Sequence, residues 1–311
     1  MPRYTAAQIR TKKQMAKKVV EHHFGKTISN IEFNAAGRTN FVFSATTKEG
    51  DFIIKIAFNK TKYKDFLKEQ WAIQKAFEAG IPVAEILEVG DELIPFPYLL
   101  QRKVAGTEAI HHPERLEILK KLGSYAHIIH SIPTEGFGSL FNWSKNKLSK
   151  KKTWVEFLEE ELQVNEGLNF LDKHSILSKK KIRHLNSEYK KIKKWKIAPS
   201  LNHCDLRLKN VIANDKGDIM AIIDWENCAS NIAPYWDFSI ALHDLSIDAK
   251  QKFLEGYDLN IEDFSKKAFS LTVFNIINYI PALQKMVDQK DKNNLALYKL
   301  RLDGSLDLFS L

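Results

Sequence analysis

Three oxygen-bearing side chains in one short stretch are the chemistry this sequence offers first. Leu201–Asn227 reads LNHCDLRLKNVIANDKGDIMAIIDWEN: Asp205 lies two residues after His203, Asn210 five after Asp205, and Asp224 at the end of an apolar run. Phosphoryl transfer needs such groups. Negative charge spreads over the phosphate oxygens in its transition state, so catalysis is mainly positioning and charge neutralisation. One carboxylate must hold the attacking hydroxyl and accept its proton, and hard oxygen ligands must hold Mg²⁺ near the phosphates. Asp205 suits the first task, Asn210 and Asp224 the second. The turn NDKGD at 214–218 would fold its flanking strands back and set Asp224 beside Asn210. The plainer readings are a turn aspartate for Asp205, a turn residue for Asn210 and a cap for Asp224.

Lys55 lies in the apolar run FIIKIA (52–57), where an unpaired ammonium would be costly. It therefore needs a partner, either Glu69 or a phosphate. Glu69 sits on a helical segment beside Lys68, so a solvated glutamate is its rival reading.

The order of these features resembles the aminoglycoside phosphotransferase and choline kinase superfamily, which is similar in fold to protein kinases. D-x-x-x-x-N followed by IIDWE is similar to its catalytic and metal-binding segments. FIIKIA resembles its nucleotide-lysine strand, and FLKEQWAIQKAFEAGIP (66–82) the helix whose glutamate pairs with that lysine. YLLQRKVAG (98–106) resembles the hinge where adenine docks; LGSYAHIIHS (122–131) and GFGSL (136–140) are also similar to family stretches. The resemblance implies a small-molecule kinase that uses ATP or GTP with Mg²⁺. Asp205 would be the catalytic base and Arg207 a stabiliser of the moving phosphoryl group. Lys55, Glu69, Gly37, Thr39, Gln101 and Lys103 would lie at the nucleotide, and Asn210 and Asp224 at the metal. His203 and Asp237 would support the catalytic loop, and the role of Glu226 stays open between substrate and helix end.

Two departures stand out. Cys204 occupies a position where the superfamily often has glycine and protein kinases arginine; its small size suggests little effect. The loop NAAGRTN (34–40) holds a single glycine, so its backbone amides and the Thr39 hydroxyl would have to cover the phosphates.

To position these groups, the pattern supplies two kinds of element. Before residue 105 it reads as a helix from an N-capping Thr5 to Phe24, strands at 28–34, 39–47 and 51–58, a helix at 62–79 and strands at 84–89 and 98–104. After Gly106 it reads as helices at 113–131, 153–171 and 178–195, a hairpin at 210–223, and helices from 236 onward. The expected fold class is α+β, bilobal and protein-kinase-like. A small antiparallel-sheet N-terminal lobe (1–104) would bind nucleotide, and a larger, mainly helical lobe (105–311) would carry catalysis and acceptor binding.

Composition narrows the rest. The 311 residues, 44% hydrophobic and 27% charged, suit a globular chain with a large core. No apolar run approaches the roughly 20 residues of a membrane span, and the basic Met1–Met15 precedes no apolar stretch, so neither an anchor nor a secretory signal is expected. Two cysteines, Cys204 and Cys228, form no disulfide framework or zinc site, which fits a reducing cytoplasm. The net charge of +9 suits an anionic partner such as a nucleotide. Nucleic acid is disfavoured, because the runs at 145–152 and 179–181 lack interleaved aromatics. A monomer or dimer is expected.

The acceptor is the open question. An aminoglycoside-like antibiotic is the default implied by the resemblance, with choline or a sugar or amino alcohol as alternatives and a catalytically inactive nucleotide-binding scaffold as the third. Glu159–Glu161, Asp237, Asp244 and Glu226 could form an acidic wall, against a solvated helix face. Trp154, Trp225, Trp236 and Tyr235 could form a cation-binding box, against ordinary core.

Overall fold

Alternation along the strand that carries Lys55 decides what each face of the main sheet does. The computed structural model describes residues 4–26, 28, 30–35, 39–148 and 150–308. Two compact units divide the chain. The first comprises residues 1–118, 141–147 and 208–227, the second 119–140, 148–207 and 228–311.

In the first unit, helix α1 (Ala6–Phe24) opens at Thr5 with a capping box to Gln8 and closes at Gly25, whose φ is +64°. Strands β1 (Asn30–Asn34), β2 (Asn40–Thr47), β3 (Gly50–Ala57), β4 (Ile86–Gly90) and β5 (Tyr98–Arg102) form an antiparallel sheet in the order β1-β2-β3-β5-β4. Phe52, Ile54 and Ile56 join Phe41, Phe43 and the buried residues Ala16, Val19 and Val20 of α1 in one core. The intervening residues face the other way. There Ala57 and Leu99 pack on Phe66 of α2 (Tyr63–Glu78). Lys55 shares this second face, opposite Val42 and Leu99.

The first unit also holds the hairpin of Val211–Ala213 and Ile219–Ile222, which Thr107–Glu108 extends to three strands. Gly106 lets the chain enter this small sheet. Its φ is +127°, and a Cβ there would lie 2.4 Å from the Ala213 carbonyl oxygen. Ile222 N donates to Pro82 O at 2.8 Å, which fixes the hairpin to the segment after α2.

The second unit is mainly helical, with a two-stranded ribbon of Ser200–Asn202 against Ala229–Asn231. Its core includes Trp154, Phe157, Trp236 and Phe274, with ring centroids 5.2–6.0 Å apart in successive contacts. The helix expected over 153–171 is broken. A short turn at Trp154–Glu156 runs into a π-type segment at Phe157–Glu161, and Gln163 takes a left-handed φ of +48° before Val164–Lys173 begins. A residue in that conformation cannot continue a right-handed helix. Among the described residues, no helix is long and apolar enough to cross a membrane.

Candidate active site

On the second face of the sheet, β3 presents Lys55 to the helix behind it. Its Nζ lies 2.6 Å from Glu69 Oε1 and 3.6 Å from Asp224 Oδ1. The Glu69 side chain is 1% exposed and that of Lys55 11%, so the pair is shielded from water. Burial alone would lower the lysine pKa, but the charges of Glu69 and Asp224 overcome it and hold the ammonium above its ordinary range. Lys55 is thus a fixed cation beside the half-exposed carboxylate of Asp224.

Local backbone bonds position that carboxylate. Ile223 N donates to Asn210 O at 2.9 Å, continuing the hairpin ladder in which Val211 faces Ile222. Asp224 therefore follows the residue paired with Asn210, as the turn at 214–218 suggested. Asp224 leaves the strand with a φ of +67°, a conformation that aspartate tolerates better than most residues.

Two residues on, Glu226 turns inward. It accepts from Thr39 Oγ1 at 2.6 Å and from Asn40 Nδ2 at 3.0 Å. The Thr39 hydroxyl, expected at the phosphates, is donated to this carboxylate instead. Gly37 lies outside the described residues. Gln101 is buried in β5 opposite Ile53, on the Lys55 face of the sheet, while Lys103 is exposed, with its amide bonded to Asp51 O.

Among the described residues, no three His, Cys, Asp or Glu side chains cluster to hold a metal by themselves. The donors at Asn210 and Asp224 nevertheless fit Mg²⁺. That ion keeps several waters and is usually held by one or two carboxylates together with substrate phosphates.

In the second unit, the ribbon strand Ser200–Asn202 leads into a buried loop tied down by Asp237. This carboxylate is fully buried and accepts from His203 N at 2.8 Å, Cys204 N at 2.6 Å and His130 Nε2 at 3.0 Å. Burial alone would raise its pKa, but the hydrogen bond and charge of His130 hold it below the ordinary value. Asp205 N donates in turn to His203 Nδ1 at 3.2 Å, so the loop histidine acts as a support. Cys204 has a φ of +61°. No local pattern in the stretch LGSYAHIIHS marks His130 as a donor to Asp237, because the two lie 107 residues apart.

Asp205 carries an ion pair at the same loop. Arg207 donates through Nε to Asp205 Oδ1 at 2.6 Å and contacts the same oxygen through Nη2. The acidic run at 159–161 is engaged elsewhere. Glu159 pairs with Lys193, Glu160 with Lys151, and Glu161 Oε1 accepts from Ser139 N. The proposed aromatic box is core: Trp154, Trp225, Trp236 and Tyr235 are all buried, and the indoles of Trp154 and Trp225 donate to carbonyls of Ile192 and Ile222.

Residues 30–263 match the model of the phosphotransferase enzyme family known as APH. The chain belongs to this family. Its fold is that of solved aminoglycoside phosphotransferases. A thermostable mutant of APH(4)-Ia in apo form superposes with a TM-score of 0.71 at 15% identity, covering 94% of this chain and 99% of that one. The ternary complex of a D198A variant of that mutant with ADP and hygromycin B gives 0.70 at 15% identity, over 94% and 97%. APH(2")-IIIa with GDP and kanamycin gives 0.62 at 13% identity, over 96% of each chain. No curated protein sequence matches the chain significantly. This APH-family chain is therefore a small-molecule phosphotransferase by family, with the kinase-like α+β fold.

Proposed function

We propose that the chain is an Mg²⁺-dependent kinase that moves the γ-phosphoryl group of ATP or GTP to an alcohol hydroxyl of a small molecule. The observation that carries this reading is the buried Lys55–Glu69 pair, with Asp224 only 3.6 Å from the same ammonium. A lysine so fixed suits the α- and β-phosphates, because the site need not reorganise to meet their charge.

In this reading Asn210 and Asp224 hold Mg²⁺, which when bound offsets charge on the phosphate oxygens. Asp205 aligns the acceptor hydroxyl and takes its proton. The acceptor oxygen bonds to the γ-phosphorus while the bond from that phosphorus to the leaving nucleoside diphosphate breaks, with no phosphoenzyme. Arg207 anchors the Asp205 carboxylate and can donate to the moving phosphoryl group. Gln101 and Lys103 lie near the base, and Glu226 fixes the start of β2. The need for nucleoside triphosphate suits a cytoplasmic location.

The test is acceptor-dependent release of nucleoside diphosphate from Mg-ATP and Mg-GTP. Hygromycin B and kanamycin, bound by solved relatives, serve as reference acceptors beside choline and neutral and acidic polyols. Turnover that disappears in Asp205→Ala supports the reading. Nucleotide binding with no turnover for any acceptor would favour a scaffold.

A further inference from the structure

Two arginines gather beside Asp205 and Asp244 within the second unit. Besides its bonds to Asp205, Arg207 places Nη1 3.8 Å from Asp244 Oδ2. Arg301, on the C-terminal helix Lys292–Leu308, places Nη2 3.7 Å from Asp244 Oδ1, and His243 Nε2 stands 3.7 Å from the same oxygen. These separations exceed hydrogen-bond reach, so the donors gather around Asp244 without being held by it. Lys250 adds a further cation. Burial is the main cause that lowers the His243 pKa, and Arg301, Lys250 and Arg207 all push it the same way against Asp244. The two guanidiniums are permanent cations beside the Asp205 and Asp244 carboxylates, and Lys250, whose pKa burial lowers, adds to the positive field at His243.

The cluster is open to solvent, since the side chains of Arg301 and Asp244 are both more than half exposed. It also has an aromatic side. Tyr279 contacts His243 and Tyr298, and the Arg301 guanidinium lies 5.6 Å from the Tyr298 ring centroid. A polycationic acceptor docking here would meet like charge. Of the other acidic candidates in this unit, Glu159 and Glu160 are paired with lysines, Glu161 accepts from Ser139 N and Asp237 is buried, which leaves Asp244 as the exposed carboxylate among the arginines.

We propose that the acceptor is a hydroxylated small molecule bearing an anionic group, a carboxylate or a phosphate. Arg301 and the Nη1 side of Arg207 hold that group while the hydroxyl faces Asp205. The planar guanidinium fork suits both anions. This deepens the kinase reading and rests on Asp205 as the group that aligns the hydroxyl.

The experiment has two arms. In the first, turnover with Mg-ATP and Mg-GTP is measured for hydroxylated carboxylates (glycerate, gluconate), hydroxylated phosphomonoesters (glycerol 3-phosphate, glucose 6-phosphate), neutral polyols, and cations (kanamycin, hygromycin B, choline). The expected result is turnover in one of the anionic sets, which identifies the source of the charge. Arg301→Ala should then raise the acceptor KM roughly 10- to 100-fold with little change in nucleotide KM, and Arg301→Lys should restore part of it. Asp244→Asn should leave acceptor KM equal or lower. Turnover confined to the cationic or neutral acceptors would overturn the inference, as would a cationic acceptor weakened by Asp244→Asn but not by Arg301→Ala.

In the second arm, binding of gluconate, glycerol 3-phosphate and kanamycin is measured by calorimetry without turnover. Tighter binding of an anionic probe, lost in Arg301→Ala, supports the inference even if no acceptor turns over. Absence of such binding, or binding unchanged in Arg301→Ala, overturns it. Failure of the kinase reading appears separately, as no turnover with any acceptor by a chain that binds nucleotide.

Discussion

Thr39 donates its hydroxyl to Glu226 Oε1 at 2.6 Å, joining residues 187 positions apart in the chain. Asn40 Nδ2 bonds the other carboxylate oxygen at 3.0 Å. One buried side chain, two residues past Asp224, thereby fixes the start of β2. Glu226→Ala would strip the Asn40 amide of its shorter bond and leave it the long 3.4 Å bond to Thr39 Oγ1, at a cost of about 1–3 kcal/mol. The expected outcome is a nucleotide KM raised about tenfold, as 1.4 kcal/mol corresponds to, with Glu226→Gln milder. Steady-state kinetics against nucleotide, with thermal melts as control, check it; an unchanged nucleotide KM in Glu226→Ala would remove Glu226 from this role.

Lys55 and Glu69 should show strong thermodynamic coupling. Lys55→Met leaves a fully buried carboxylate without its cation, a change that typically costs about 3–5 kcal/mol. Glu69→Gln should cost less, because Asp224 remains 3.6 Å from the lysine. The double variant should lose less stability than the two single losses combined. Urea unfolding of the four proteins measures the coupling, and additive losses would contradict it.

Asp224→Asn preserves size and tolerates the φ of +67°, so its effect should fall on chemistry. If the carboxylate anchors Mg²⁺, kcat should drop about 100- to 1000-fold, as expected for several kcal/mol of lost charge stabilisation. Binding of metal-free nucleotide should persist. Comparing kcat with metal-free nucleotide affinity separates the two effects, and a kcat equal to the parent's would rule out the assignment.

Asp237 makes stability depend on acid. Its folded pKa lies below the ordinary value, with burial opposed by His130 and His203. A carboxylate depressed in this way binds protons more readily when unfolded, so stability falls as pH falls. The contribution is complete above the ordinary carboxylate pKa of about 3.9 and fades as pH drops through the lower folded value. Asp237→Asn should therefore be destabilised at pH 7 by about 3 kcal/mol, and the gap to the parent should narrow below about pH 4. Denaturant midpoints between pH 3 and 7 test this; a gap that stays constant with pH would exclude the charge as its source.

Cys204 occupies a left-handed conformation, φ +61°, between two amides held by Asp237. A side chain in that region costs about 1–2 kcal/mol, while glycine pays about 0.5–1 kcal/mol in unfolded-state entropy. Cys204→Gly should therefore be neutral to stabilising by up to about 1 kcal/mol, and Cys204→Val clearly destabilising. Melting temperatures decide between this strain and the simpler view that only size matters at 204.

The sequence alone determined the elements that local rules govern, and the residue types of the site. The Thr5 cap and Gly25 stop bound α1, and the turn at 214–218 set Asp224 past the partner of Asn210. It also required a partner for Lys55, because a bare ammonium in an apolar strand is costly. Tertiary structure brought Glu69, one of the two partners the sequence offered, onto that lysine, turned Glu226 onto Thr39 and Asn40, and gave Asp237 three donors from two distant segments. Likewise, only folding gathered Arg207, His243, Asp244 and Arg301 at one place. Periodicity and capping act over a few residues. Charge pairing and the satisfaction of buried polar groups act through space, and no local pattern records which distant side chain will supply them.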